Sequence, residues 1–255
     1  MQERGLNFIV YDPGRLIYVL GPKLGSTGTV DLFVRLAGIE TAQGSVRGAA
    51  EEAMATGRFA AEGVQFLRGY HRRLRELRAA YPDYALFANI RDPYARILSN
   101  YYSKMNRYAA RFAPGVFRYG KLHQVLKGPG RWTDNRHGNK AMHRRIPFLE
   151  MLRGLERHGI DFDPHFNLQS VVLDLADTPY DRLFRIETLD DELLPALAGR
   201  GVAPALLARV SGLNRRNQSA YDRDVGALFT PEACAIIERL YARDFDALGY
   251  PRRTA

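Results

Sequence analysis

Leu16-Ile17-Tyr18-Val19-Leu20-Gly21-Pro22-Lys23-Leu24-Gly25-Ser26-Thr27-Gly28 decides the fold of this chain. The first five residues are a continuous apolar run, the pattern of a strand buried on both faces, and Gly21 and Pro22 end it. From Thr29 to Ala37, Val30, Phe33, Val34 and Ala37 recur at helical spacing, with Gly38 as the stop. The order is strand, glycine-containing loop, helix. Glycines let a backbone approach a ligand, and amides at a helix N-terminus attract anionic oxygens. Ser26 and Thr27 add hydroxyls and Lys23 adds a charge. The triphosphatase loop G-x-x-x-x-G-K-[ST] is a different motif, because here the lysine stands two residues before the glycine. Taken alone, the loop reads equally well as a glycine turn that caps a helix.

The same arrangement recurs downstream. Tyr84 to Ile90 reads as a strand running into Arg91-Asp92-Pro93, where Asp92 can cap a helix and Pro93 suits its first turn. Tyr94, Ile97, Leu98, Tyr101 and Met105 then share one apolar face, while Arg96, Ser99 and Ser103 lie on another. Arg91 at the strand end and Ser99 two turns on are a candidate pair for one anion, since an arginine fork suits a phosphate. The plainer reading makes Arg91 and Arg96 surface charges.

Other elements complete an alternating pattern. Val64 to Tyr70 reads as a strand ending in Gly69-Tyr70-His71, followed by a basic helix from Arg72 to Ala80. Pro147 to His158 reads as a helix and Leu183 to Ile186 as a last strand. A final helix is capped by Thr230, has Pro231 in its first turn, and is closed by Gly249 and Pro251. Strands alternating with helices predict an α/β fold with a central parallel sheet, whose ligands bind beyond the carboxyl ends of the strands. We read residues 1–255 as one domain with a basic, loop-rich insertion at about 104–146.

Charge is uneven along the 255 residues. Lys and Arg total 37 against 28 Asp and Glu, a net of +9. Between Lys104 and Arg157 alone, thirteen cations face three acids, so that segment carries the surplus. A local basic field attracts anions such as nucleic acid, acidic lipid or polysaccharide, or a phosphorylated cofactor. The single cysteine, Cys234, can form no intrachain disulfide, and no run of 18 apolar residues spans a membrane. With no secretory signal evident, a reducing, cytoplasmic setting is the expectation. No His, Cys or Asp cluster has metal-ligand spacing, so no metal is expected.

Taken together, the loop Pro22–Thr27 and the segment Ile90–Tyr102 resemble the sulfotransferase superfamily, closest to the carbohydrate-type family 2 with its heparan sulfate 2-O- and chondroitin sulfotransferases and bacterial homologues. Asp163-Pro164-His165-Phe166-Asn167-Leu168-Gln169, and Tyr180-Asp181 with Phe184 to Leu189, resemble the H-W-x-P-Q and Y-D-x-I-x-x-x-E-T-L patterns of the chondroitin-type enzymes. Phe166 replaces the tryptophan and Leu168 the proline. Asn217-Gln218-Ser219 and Leu240 to Tyr250 resemble their C-terminal region, so the resemblance covers most of the chain in order.

The resemblance implies a three-layer, P-loop-like sulfotransferase fold and a donor, 3′-phosphoadenosine 5′-phosphosulfate (PAPS). Lys23, Leu24, Gly25, Ser26, Thr27 and Gly28 are then expected at its 5′-phosphosulfate, and Arg91 and Ser99 at its 3′-phosphate. Asn217 and Ser219 are further candidates to touch the nucleotide. The acceptor is expected to be a glycan or another hydroxylated, anionic molecule, without nucleic acid as partner. An unanchored form of this length points to a bacterial enzyme. Lys23 is expected to stabilise the leaving oxygen. The general base is expected about twenty residues before the 3′-phosphate arginine, which puts His71 first; His165 is second, and Glu187 reads as a structural acceptor. The basic segment, with Tyr108, Phe112, Phe117, Tyr119 and Trp132, is expected to line the acceptor cleft. Two other classes stay open on the residues: a nucleotide-dependent kinase, which needs a Mg²⁺-binding aspartate, and a basic nucleic-acid-binding protein.

Overall fold

Leu16–Leu20 and Ala85–Ile90 are buried at every position, as the uninterrupted apolar runs require of strands covered on both faces. The computed structural model describes residues 6–39, 56–69, 71–102, 147–161, 163–210 and 225–254. Its principal elements, in chain order, are β1 Leu6–Tyr11, β2 Leu16–Leu20, α1 Ser26–Leu36, β3 Val64–Gly69, α2 His71–Ala80, β4 Ala85–Ile90, α3 Pro93–Asn100, α4 Phe148–His158, β5 Arg182–Arg185, α5 Leu189–Gly199, α6 Pro231–Leu240 and α7 Ala242–Leu248. They fall into two units. The first comprises Met1–Arg91 with Gln169–Ala220, and the second Asp92–Leu168 with Tyr221–Ala255.

The first unit holds a five-stranded sheet of order β3-β1-β2-β4-β5. β2, β4 and β5 are parallel neighbours, whereas β1 runs antiparallel to both β2 and β3. Four strands therefore point one way and β1 the other, which corrects the expectation of a wholly parallel sheet. The sequence reading places no strand before Leu16. The four residues joining β1 to β2 are too few for a crossover, so the two must pair as a hairpin. Asp12–Gly14 form a single 3₁₀ turn there, and Arg15 takes a left-handed conformation at φ 44°.

One sheet face packs Tyr18, Phe87 and Phe184 with Phe33 of α1 and Leu193 and Leu197 of α5. Phe33 stands edge-on to Tyr18 at 5.7 Å and to Tyr11 at 5.2 Å, contacts that add roughly 0.5–1.5 kcal/mol each beyond area burial. Residues facing the other way, including Phe8, Ile17, Val19 and Leu86, are equally inaccessible.

In the second unit, α3 begins under Asp92, whose carboxylate accepts from the amides of Tyr94 at 2.6 Å and Ala95 at 3.3 Å. Thr230 caps α6 through the Ala233 amide at 3.2 Å. The expected single C-terminal helix is interrupted at Tyr241, with α7 following. Among the described residues, no helix is long and apolar enough to cross a membrane.

Candidate active site

The strand directions bring four chain segments to one edge of the first unit's sheet. Because β2, β3, β4 and β5 share a direction, their carboxyl ends at Leu20, Gly69, Ile90 and Arg185 lie at the same edge. The loop carrying Lys23 leaves β2, Arg91 follows β4, and Ile186 and Glu187 follow β5. Adjacent strands are about 4.8 Å apart, so β2 and β4 set the roots of the two cationic segments on neighbouring ladders.

The loop after β2 is tightly built. Gly25 is the N-cap of α1 at φ 72°, in the left-handed region that L side chains avoid at about 1–2 kcal/mol. A Cβ there would also stand 3.2 Å from the Ile186 side chain. Lys23 itself is left-handed at φ 64°, an uncommon state for a non-glycine residue and one that clusters at ligand sites. Ser26 donates its hydroxyl proton to the Gly21 carbonyl at 2.6 Å. That proton therefore braces the loop, while Thr27 is exposed. α1 starts at Ser26, and the first amides of a helix lack an intrahelical acceptor. The amides of Ser26, Thr27 and Gly28 are thus available to an anion.

Asn89 fastens this loop to β4. Its Nδ2 donates to the Leu24 carbonyl and to Thr29 Oγ1, both at 3.0 Å, while its Oδ1 accepts from the Tyr18 hydroxyl. Burial drives the Tyr18 hydroxyl far above its ordinary range, outweighing a hydrogen bond with Thr29 that lowers it, so Tyr18 stays a proton donor. The sequence reading assigns Asn89 no role. A polar residue inside the otherwise apolar run Ala85–Ile90 is the signal that marks it.

Arg91 is held by its backbone. Its amide donates to Gln169 Oε1 at 2.9 Å, and Gln169 Nε2 donates to the Arg91 carbonyl at 2.8 Å. Asp181 performs a similar service at the start of the same strand: its amide donates to the Leu86 carbonyl at 2.9 Å and its carboxylate accepts from the Leu86 amide at 2.7 Å. The Tyr180 hydroxyl donates to the Leu173 carbonyl at 2.8 Å. The Tyr-Asp pair thus anchors the approach to β5.

The remaining candidates are distributed as follows. His71 is the first residue of α2, not the end of β3, and β3 is the edge strand beyond β1 and β2. Ser99 lies on α3 in the second unit and is partly exposed. His165 is also in the second unit. Its Nδ1 lies 2.7 Å from Asp163 Oδ1, and its amide donates to the same oxygen at 2.8 Å. Arg96 is no surface cation: it is 2% exposed and donates to the carbonyls of Asn167 at 2.6 Å and Pro164 at 3.2 Å. With Asn100 donating to the His165 carbonyl and Tyr241 to that of Phe166 at 2.9 Å, it fixes the 164–167 loop. Asn217, Ser219 and the basic segment 104–146 lie outside the described residues. Among the described residues, no group of three or more His, Cys, Asp or Glu could hold a metal ion.

Helices packed on a mostly parallel five-stranded sheet make the first unit a mixed α/β fold. Within that class the family is defined: the model of the sulfotransferase family matches residues 6–251, and the chain belongs to that family. Comparisons with curated proteins and with solved structures gave no match.

Proposed function

We propose that this protein transfers a sulfuryl group from PAPS to a hydroxyl of a carbohydrate acceptor. The observation that carries the proposal is the pair of cationic segments at neighbouring strand ends, one after β2 and one after β4, on a chain of the sulfotransferase family. In this reading, residues 1–255 form one P-loop-like sulfotransferase domain. The family match supports it by running through both units.

Lys23, Leu24, Gly25, Ser26, Thr27 and Gly28 receive the 5′-phosphosulfate, through helix-terminal amides and the lysine charge. Arg91 takes the 3′-phosphate with a guanidinium fork, and Ser99 adds a hydroxyl. In the reaction the acceptor oxygen forms a bond to sulfur as the bond to the bridging phosphate oxygen breaks, releasing 3′-phosphoadenosine 5′-phosphate (PAP). Negative charge grows on the bridging oxygen, where Lys23 stabilises it. His71 takes the acceptor proton, with His165 as the second candidate. The cationic composition of segment 104–146 suits a carboxylated or sulfated glycan as acceptor.

Thermal-shift titration tests the donor. PAP raises Tm progressively by mass action, whereas AMP and ATP do so weakly. Stabilisation by ATP equal to that by PAP favours the kinase reading. RNA binding with a steep salt dependence and no response to PAP favours the nucleic-acid reading.

A further inference from the structure

The pairing of β4 with β2 ends at Val19 and Ala88, and its pairing with β5 ends at Ile90 and Arg185. Arg91 lies beyond both ladders. The main chain of a residue past the last rung ordinarily turns to water and is free to swing. Here Gln169 supplies the missing rung, accepting from the Arg91 amide at 2.9 Å and donating to its carbonyl at 2.8 Å. Only a carboxamide side chain presents a donor and an acceptor in the geometry of a peptide. The two fixed main-chain partners also settle which end of the amide is oxygen.

Gln169 is itself immobile. It is fully buried and opens the one-turn helix Gln169–Val172, its carbonyl accepting from the Leu173 amide at 2.8 Å. Ser170, Val172 and Leu173 around it are buried as well. A buried glutamine that bonds both the amide and the carbonyl of one cationic residue does more there than fill space.

We propose that Gln169 is the positioning residue for Arg91. By fixing the Arg91 backbone it presents the guanidinium to the 3′-phosphate, and so supports discrimination between PAP and adenylate lacking that phosphate. The inference rests on the donor reading given above. Ordering the root of the arginine in advance lowers the ordering cost of binding, and the gain falls on the 3′-phosphate alone. The amides at the other end of the donor do not depend on it.

The test is calorimetric titration of PAP and AMP, which differ by that one phosphate, into wild type, Gln169→Glu and Gln169→Met. Gln169→Glu keeps an acceptor for the Arg91 amide but sets a second oxygen against the Arg91 carbonyl. Gln169→Met keeps the side-chain length and removes both bonds. Both variants weaken PAP by about ten- to a hundredfold, the cost of a displaced binding group. They leave the Kd of AMP within about twofold, and they raise the KM for PAPS but not that for the acceptor. A merely structural loss lowers the folded fraction for both ligands alike, so the PAP-to-AMP ratio isolates the positioning role. An unchanged ratio overturns the inference and leaves the donor reading intact, whereas a wild type with no preference for PAP removes both. On the wild type itself, the Gln169 side-chain amide resonance moves with PAP and not with AMP; a resonance indifferent to PAP also overturns the inference.

Discussion

Asn89 Nδ2 donates to the Leu24 carbonyl at 3.0 Å, binding the loop after β2 to the neighbouring strand β4. The same side chain bonds Thr29 and receives the Tyr18 hydroxyl. It therefore ties the Lys23 segment to the strand that ends in Arg91. Asn89→Leu keeps the volume but strands buried partners, and we expect a loss of about 2–4 kcal/mol in stability with a weaker donor affinity. Tyr18→Phe removes one bond and costs about 1 kcal/mol. Urea denaturation of both variants checks the ranking.

Lys23 and Arg91 separate chemistry from binding. Lys23→Ala lowers kcat by about 10²–10³-fold, the range for removing one preorganised charge donor, and largely keeps PAP affinity. Arg91→Ala weakens PAP itself. Steady-state kinetics beside calorimetry checks the split, and equal loss of affinity in both variants contradicts it.

The general base is checked by two alanine variants. His71→Ala lowers kcat by about 10²–10⁴-fold and removes the acidic limb of the pH–rate profile. His165→Ala leaves that limb in place. The reverse ranking moves the base to His165, whose ring faces Asp163 at 2.7 Å.

Glu238 predicts a pH dependence of stability in the second unit. Burial alone raises its pKa, but hydrogen bonds from Thr254 and Tyr94, together with the amides of Thr254 and Arg253, lower it to about 2. Arg253 also lies over the rings of Tyr94 at 4.5 Å and Phe229 at 4.4 Å, so Glu238 anchors the C-terminal residues. An unfolded glutamate titrates near 4.3. The stabilisation is thus complete above about pH 4.3 and is lost as the pH falls toward 2. Thermal melts of wild type and Glu238→Gln differ most above pH 5 and converge on acidification. A constant difference refutes this role.

Much of the fold is legible in local pattern. The apolar run Leu16–Leu20 is β2 to the residue, and the Asp92-Pro93 and Thr230-Pro231 signals mark the starts of α3 and α6. The strand at Leu6–Tyr11 escapes that reading although it is apolar apart from Asn7 and is ended by Asp12-Pro13-Gly14. Its antiparallel pairing follows from the length of one turn, not from composition. The site is legible where it depends on residues close in sequence, as at Gly21–Gly28. Asn89, Gln169 and Arg96 act across 60 to 78 positions. A polar residue's spacing does not say which distant carbonyl it will meet, so Arg96 reads as a surface charge until its burial is seen.

The most direct test supplies PAPS carrying a radioactive sulfur to the protein with a panel of desulfated and partly sulfated glycans. The account predicts that label moves to a glycan hydroxyl with release of one PAP per sulfate transferred, and that Lys23→Ala slows the transfer by about 10²–10³-fold while still binding PAP. Wild-type protein that binds PAP yet moves no label to any of the glycans would contradict the carbohydrate acceptor. Failure to bind PAP would contradict the donor as well.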